Sequence, residues 1–281
     1  MTEAHAEAVL GVGVSRATPL GGGDICEARR LVLADGRVVF AKHLADPPPG
    51  FFTSEASGLR WLGEAGFVPV PSVVGVAEDL LVLTWVEPGS PTAEGAERFG
   101  RALARLHGVG APTFGAAWPG FVGRLPMDNG SADRWPEFFA EQRVRPYLRS
   151  AIDREGISGG DGQAIETVLD RIEELAGPPE PPSRLHGDLW SGNVHWDASG
   201  TGWLIDPAAH GGHRESDLAM LALFGAPHLE RILAAYQEEH PLADGWEERQ
   251  PLHQLHPLLV HATLFGRGYG AAAGRAARRL V

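Results

Sequence analysis

The sequence predicts an α+β fold with two lobes, a small N-terminal lobe built on an antiparallel sheet and a larger, mainly helical C-terminal lobe. Residues 1–84 consist largely of short β-branched runs separated by glycine-containing turns, which is typical of strands. Pro88-Gly89-Ser90-Pro91 then marks a boundary, and apolar residues recur at helical spacing in most of the chain that follows. We therefore predict one lobe at residues 1–86 and a second at residues 87–281.

The N-terminal lobe is expected to contain a sheet and a single helix. Asp35-Gly36 is a turn signal between two of the strands. Apolar residues at helical spacing from Phe52 to Leu62 give the helix one buried face. The predicted elements are strands at 9–17, 28–33 and 38–42, a helix at 51–65 and a further strand pair ending at 80–86.

The C-terminal lobe is expected to be a set of helices. The proline-rich stretch at 178–182 interrupts them and acts as a stiff connector. A last helix at 267–281 carries four arginines, whose positive charges interact favourably with the C-terminal end of the helix dipole and with the acidic body of the protein. The other predicted helices lie at 93–107, 135–152, 162–176, 215–224, 229–240 and 247–265.

Composition and charge exclude several classes of protein. A net charge of −12 argues against a nucleic-acid-binding protein, which normally presents a basic face. No apolar run approaches the roughly 20 residues that span a bilayer, and the N-terminus lacks the pattern of a signal peptide. The single cysteine, Cys26, fits a reducing compartment but leaves any redox role open. We expect a cytoplasmic protein without membrane or nucleic-acid partners.

Two short segments carry the strongest functional signal. In the HGDLWSGN sequence at 186–193, Asp188 lies five residues before Asn193, and the LIDPA sequence at 204–208 adds Asp206 after an apolar run. This layout is typical of kinase-fold phosphotransferases. Asp188 would orient the acceptor hydroxyl and accept its proton, and Asn193 and Asp206 would offer the hard oxygen ligands that Mg²⁺ prefers. A predicted hairpin, 193–196 with 201–205, brings the segments together.

Features of the first lobe fit ATP binding. Gly21, Gly22 and Gly23 allow backbone amides to approach phosphates, although such turns often serve only to turn the chain. Lys42 ends an apolar strand, where its ammonium either reaches solvent or needs an anionic partner; Glu55 and the ATP phosphates are the predicted partners. The backbone of the strand entering the hinge should hydrogen-bond adenine. That strand includes Leu83, Thr84, Trp85 and Val86.

Together these segments resemble the fructosamine kinase (ketosamine-3-kinase) family, a relative of the aminoglycoside and choline kinases. The resemblance covers nearly the whole chain, and its most specific segments are HGDLWSGN at 186–193 and GHRESDLAM at 212–220. It implies a bilobal protein-kinase-like fold, with the nucleotide in the first lobe and catalysis and acceptor binding in the second. The other matching segments are GGGDI at 21–25, FAK at 40–42, DPA at 206–208, LFG at 223–225 and FGRGY at 265–269.

The resemblance also implies a reaction, the ATP-dependent phosphorylation of the sugar 3-hydroxyl of ketosamines such as fructosamines and ribulosamines. The phosphorylated product is unstable and releases the amine, so the reaction repairs glycated amines. Acceptors would be small ketosamines or glycated lysines on proteins. Asp188 would be the catalytic base, with Trp190, His213 and Glu215 on the acceptor side. Asp217 is expected to be structural, bonding the amides of the catalytic loop. We expect a monomer.

Several alternatives remain open. An aminoglycoside- or choline-type kinase, or a nucleotide-binding pseudokinase that acts as a scaffold, would share this fold, and Trp190 could instead be a core residue. Only eight residues separate Asp206 from the helix that begins at Glu215, too few for a segment that docks a peptide. The sequence at 156–160 satisfies the G-x-S-x-G pattern of esterases, but the charged residues before it indicate a loop. Three histidines at 253, 256 and 261 suggest a metal cluster, although packing within a helix is the favoured interpretation.

Overall fold

The N-terminal lobe is a five-stranded antiparallel sheet with helices on both faces. The computed structural model describes residues 3–21 and 25–281. The elements of this lobe are α1 (Glu3–Leu10), β1 (Val14–Leu20), β2 (Glu27–Leu33), β3 (Val38–His43), α2 (Phe51–Glu64), β4 (Val73–Val76) and β5 (Leu80–Thr84). The strand order in the sheet is β1-β2-β3-β5-β4, and every neighbouring pair is antiparallel.

The start of the chain corrects one prediction. Residues 9–17 were expected to form a strand, but α1 continues to Leu10 and β1 begins only at Val14. Gly11 takes a left-handed conformation with φ of 66°, which ends the helix at no steric cost. The carboxylate of Glu7 then accepts a hydrogen bond from the amide of Val14 at 2.8 Å. The helix is rich in alanine and glutamate, which favour helix formation, and Ala6 anchors it by packing into the sheet core.

Alternation along the strands determines which side chains face the cleft. Leu80 and Val82 of β5 join the core on the α1 side, whereas Leu81 and Leu83 pack against α2. On β3, Val39 and Ala41 face α1. Because successive side chains alternate between the two faces, Lys42 projects to the α2 side of the sheet.

The C-terminal lobe is mainly helical. Its helices are α3 (Ala93–Gly108), α4 (Trp135–Phe138), α5 (Arg145–Asp153), α6 (Gly159–Asp170), α7 (Ile172–Leu175), α8 (Glu215–Phe224), α9 (Leu229–Glu239), α10 (Trp246–His253), α11 (Leu255–Phe265) and α12 (Arg267–Arg278). The strands of this lobe are β6 (Gly120–Val122), β7 (Leu125–Met127), β8 (Ser183–Leu185), β9 (Val194–Trp196), β10 (Gly202–Leu204) and β11 (His210–Gly212). The largest hydrophobic core lies where α4, α5, α6, α11 and α12 pack together, and a second core lies between α3, α9 and the β9–β10 hairpin.

Three predicted helices are divided. The helix expected at 135–152 contains a π-helical turn, Phe139–Val144, because Pro146 has no amide hydrogen to donate back along the helix. The helix expected at 247–265 breaks at Gln254, three residues before Pro257. The helix expected at 162–176 begins at Gly159, where Ser158 caps it, and breaks at Arg171.

Backbone hydrogen bonds attach the segment at 194–204 to the N-terminal lobe and to the hinge. The amide of Leu204 donates to the carbonyl of Pro69 at 3.0 Å, which joins the two lobes, and the amide of Gly89, just after the predicted boundary, donates to the carbonyl of Trp196 at 2.7 Å. A Cβ atom at Gly89 would lie 2.1 Å from the carbonyl oxygen of Asp197, so only glycine fits there. The sheet lobe is therefore attached directly to the β9–β10 hairpin. The placement of a domain boundary at residue 86 stays a prediction. Within the described ranges, no helix is both long and apolar enough to cross a bilayer.

Candidate active site

The predicted catalytic loop connects β8 to β9 and lies against the segment that follows Asp206. Gly187 has φ of 82°, and a Cβ atom there would be 2.2 Å from the carbonyl oxygen of Ala208. Any larger residue would force the two segments apart. The predicted hairpin is confirmed, since β9 pairs with β10 in antiparallel register. It returns the chain to Asp206, beside the loop.

Asp217 holds the start of this loop in place. Its two carboxylate oxygens accept hydrogen bonds from the backbone amides of His186 at 2.8 Å and Gly187 at 3.0 Å. The ring of His107 lies 3.2 Å from the same carboxylate. Burial alone would raise the pKa of Asp217, but the hydrogen bond and charge of His107 outweigh it and lower the pKa. The predicted structural role of Asp217 is confirmed.

His186 connects the catalytic loop to the second aspartate segment. Its Nε2 lies 2.8 Å from the carbonyl of Ile205, and its Nδ1 lies 3.2 Å from the amide of Asp188. A carbonyl requires a donor and an amide requires an acceptor, so the neutral tautomer with the proton on Nε2 fits both contacts. Burial lowers the pKa of His186, which agrees with a neutral ring.

Asp188 and Asn193 meet across the loop. The side-chain amide of Asn193 donates to the Asp188 carboxylate at 3.1 Å and to the Asp188 carbonyl at 2.8 Å. Burial raises the pKa of Asp188 to about 7. The hydrogen bond from Asn193 acts against this rise, and the negative charges of Asp206 and Asp217 add to it. A carboxylate with a pKa near neutrality is suited to proton transfer at physiological pH.

Lys42, Glu55 and Asp206 form an ion-paired cluster at the interface of the lobes. The Lys42 ammonium lies 2.6 Å from Glu55 and 2.8 Å from Asp206. Burial by itself would lower the pKa of Lys42, but the two carboxylates raise it, and the group stays charged. Burial also raises the pKa of Glu55 to about 7, whereas Lys42 offsets burial at Asp206 and lowers its pKa. The predicted pairing of Lys42 with Glu55 is present.

The donor set fits a magnesium ion and the phosphates of a nucleotide. Asp206 has a left-handed φ of 52°, unusual for a non-glycine residue and common at functional sites. Half of its side-chain surface is exposed to the cleft. Glu55 and Asp206 place two carboxyl groups around one lysine, and Asp188 is close enough to Asp206 for their charges to interact. A divalent cation would offset this local excess of acid. Asn193 and Asp206 as ligands, with Lys42 toward phosphates, stay predictions.

The predicted nucleotide-binding residues fall in two places. Thr84 ends β5, its amide donating to the carbonyl of Ser72 at 2.9 Å. The Leu83 side chain packs in the α2 core, so only its backbone could contact a nucleotide. The adenine role of the hinge, Trp85 and Val86 included, stays a prediction. Gly21 is described, whereas Gly22 and Gly23 lie outside the described residues.

Trp190 lies at the surface of the catalytic loop and not in a core. Its side chain is 41% exposed. A Cβ atom at Gly192 would be 2.3 Å from the indole ring, so the ring occupies space that a side chain at residue 192 would need. An exposed indole beside Asp188 can offer an apolar platform to an acceptor. That role stays a prediction.

His213 and Glu215 lie in an interior charged cluster that sequence analysis missed. They are only 3% and 2% exposed. The Glu215 carboxylate accepts two hydrogen bonds from Arg249, at 2.6 and 3.0 Å, and lies 3.2 Å from His253. Burial would raise the pKa of Glu215, but His253 and Arg249 lower it to about 2. The predicted contact of His213 and Glu215 with the acceptor stays a prediction, and in this structure both side chains are buried.

The remaining histidines of α10 and α11 serve packing. His256 lies 2.9 Å from the carbonyl of Arg143, and His261 lies 2.8 Å from the carbonyl of Pro257. His213, Glu215 and His253 approach one another closely enough to suggest a metal site, but Arg249 occupies both carboxylate oxygens. The G-x-S-x-G sequence runs from a loop into the first residues of α6, and Ser158 caps that helix, in agreement with the predicted loop before a helix.

Solved and curated proteins resemble this chain over most of its length. It is 40% identical over 260 residues to a protein of Thermus thermophilus named "Probable ketoamine kinase", with 92% of each chain covered. A crystal structure from Thermobifida fusca, provisionally described as a fructosamine-3-kinase, is 50% identical with a TM-score of 0.95, covering 99% of this chain and 98% of that one. A choline kinase from Streptococcus pneumoniae shares the fold at 16% identity and a TM-score of 0.65, covering 95% and 93%.

The protein-kinase-like fold predicted from the sequence is thus confirmed. The family model that matches is described as fructosamine kinase, and its match extends over residues 2–281. This chain therefore belongs to the fructosamine kinase family.

Proposed function

We propose that the protein is an ATP-dependent ketosamine kinase that phosphorylates the sugar 3-hydroxyl of its acceptor. The observation that carries this proposal is the meeting of two loops, one with Asp188 and Asn193 and the other with Asp206 paired to Lys42. Family membership and the names of the relatives support the choice of acceptor. Release of the amine from the product would make the reaction a repair of glycated amines.

The residues divide the work between nucleotide and acceptor. ATP with Mg²⁺ would supply the phosphoryl group and neutralise its charge. Lys42, kept in place by Glu55, would hold the phosphates, and Asn193 and Asp206 would hold the metal. Asp188 would position the acceptor hydroxyl and take its proton, for which its raised pKa is suited. In this proposal residues 1–86 bind the nucleotide and residues 87–281 bind the acceptor.

The acceptor is proposed to be a small ketosamine or a glycated lysine exposed on a protein. The connection from Asp206 to α8 is short, and β11 occupies three of its eight residues. Such a connection leaves little chain with which to contact a peptide around a lysine. We also propose that the protein acts as a monomer in the cytoplasm, which its single, half-buried Cys26 suits.

The test is a steady-state assay of ATP turnover with a panel of ribulosamines, fructosamines, glycated peptides, choline and an aminoglycoside. Turnover confined to ketosamines would support the proposal, and transfer to choline or the aminoglycoside alone would contradict it. Titration calorimetry with ATP and Mg²⁺ in parallel separates a further case. Nucleotide binding without turnover of any acceptor would indicate a pseudokinase scaffold.

A further inference from the structure

A segment of the C-terminal lobe runs along helix α2 of the N-terminal lobe. We call residues 118–124, which include β6, the bridging segment. The Phe121 ring packs on Phe51 at the start of α2, with ring centroids 5.5 Å apart. The Trp118 ring packs on Trp61, three turns further along, also at 5.5 Å. The bridging segment therefore follows α2 over most of its length.

Between these aromatic contacts lies a hydrogen bond next to the ion-paired cluster. The hydroxyl of Ser54 donates to the carbonyl of Pro119 at 2.5 Å, and Ser54 directly precedes Glu55. Arg124 donates to the carbonyl of Asp46 at 3.1 Å, in the loop that joins β3 to α2. The bridging segment thus contacts both the helix that carries Glu55 and the loop that follows Lys42.

The face of α2 that contacts the bridging segment is also held by the segment at 207–209. A Cβ atom at Gly58, one turn after Ser54 and therefore on the same face, would lie 3.1 Å from the side chain of Ala209 and 3.4 Å from that of Pro207. Arg184, just before the catalytic loop, stacks over Trp61 at 4.5 Å and donates to its carbonyl. Helix α2 is consequently held against the C-terminal lobe along one face, while its other face packs on the sheet.

We propose that the bridging segment positions α2 so that Glu55 stays paired with Lys42, with Phe121 and Ser54 as positioning residues for nucleotide binding. If α2 moved away, Lys42 would lose Glu55 and keep only Asp206, the carboxylate proposed to bind metal, as its partner. The inference rests on the proposed use of ATP but does not depend on the acceptor. It implies a cluster assembled by the fold itself, without phosphorylation or a partner.

Direct measurement of ATP–Mg²⁺ affinity by calorimetry tests this role without any acceptor. We expect Phe121→Ala and Ser54→Ala to weaken binding by about tenfold, a change of ~1.4 kcal/mol. Phe224→Ala is the matched control, because it removes a ring contact of similar type, with His261 at 4.8 Å, away from α2. It should lower thermal stability comparably and leave ATP affinity within about twofold.

A double-mutant cycle with Glu55→Gln separates positioning from general destabilisation. If the bridging segment acts through Glu55, Phe121→Ala should have little further effect on ATP affinity in the Glu55→Gln background. Additive losses in the cycle, or equal losses in Phe121→Ala and Phe224→Ala, would overturn the proposal. Failure of the wild type to phosphorylate ketosamines would affect only the proposed function, since ATP binding is measured separately.

Discussion

Asp188 is the residue on which the proposed chemistry depends most. Its carboxylate accepts a hydrogen bond from Asn193, whereas Lys42 and Asp206, proposed to hold the phosphates and the metal, lie on other segments. We expect Asp188→Asn to lower turnover by at least 10²–10⁴-fold, the usual contribution of a general base, while ATP affinity is retained. Asp153→Asn, at an exposed site, is the matched control. Near-normal turnover in Asp188→Asn would remove the residue from the mechanism.

Asn193 and Asp206 are expected to act together on the metal. Replacing either with alanine should weaken magnesium-dependent ATP binding, and added magnesium should rescue it poorly because the ligand geometry is lost. Asp206→Ala also removes one of the two partners of Lys42. Titration of ATP affinity against magnesium concentration measures the effect. An unchanged magnesium dependence in both variants would place the metal elsewhere.

Trp190 should distinguish acceptor from nucleotide binding. Because its ring lies exposed on the loop that carries Asp188, Trp190→Ala should raise the KM of the ketosamine several-fold and leave the KM of ATP unchanged. Aromatic contacts of this kind contribute about 0.5–1.5 kcal/mol beyond burial. Phe67→Ala, another exposed aromatic residue, serves as the control. A rise in the KM of ATP alone would contradict this placement.

At the scale of secondary-structure elements, Glu215 joins α8 to α10 through Arg249. Removing one partner of a buried ion pair leaves the other charge unpaired, so Glu215→Gln should lower the free energy of unfolding by about 3–5 kcal/mol. The folded pKa of about 2 lies below the usual value of 4.5, so the pair stabilises fully above pH 4.5. That stability is lost as pH falls toward 2.

Denaturant unfolding of wild type and Glu215→Gln across this pH range measures the effect, with Glu247→Gln on the surface of α10 as the control. The difference between wild type and Glu215→Gln should shrink as the pH falls below 4.5. A specific rise in the KM of the ketosamine without loss of stability would instead support the acceptor role predicted for Glu215.

Local signals explain which elements could be predicted from the sequence. The β9–β10 hairpin and the catalytic loop follow from residues adjacent in the chain, and so does the pairing of Lys42 with Glu55 once a strand and a helix are assigned. Helix α1 carries a local signal, its alanine and glutamate content, that the prediction of a strand at 9–17 overlooked, and its position depends on burial of Ala6 against distant strands. The contact of Glu215 with Arg249, 34 residues away, depends on how two helices pack. The β6–β7 hairpin is too short to give a periodic signal.

At the scale of the whole molecule, the chain brings together groups that are far apart in sequence. Lys42 and Asp206 are 164 residues apart and still form a 2.8 Å contact. Two features make this possible, the hinge bonded to the β9–β10 hairpin and the packing of one face of α2 against the C-terminal lobe. The resemblance to a known family predicted the overall arrangement, but the bridging segment that packs along α2 had no counterpart in the sequence motifs.

The short connection between Asp206 and α8 bears on whether ATP is hydrolysed when no acceptor is bound. Because this connection has little chain with which to cover the cleft, we expect solvent to reach the position that the sugar hydroxyl would occupy. A water molecule beside Asp188 could then receive the phosphoryl group, so we expect slow ATP hydrolysis when no ketosamine is present. Phosphate release without acceptor should be suppressed by a saturating ketosamine and abolished by Asp188→Asn. Such an enzyme would hydrolyse ATP slowly in the absence of an acceptor, and the total rate of this hydrolysis would increase with the cellular concentration of the enzyme.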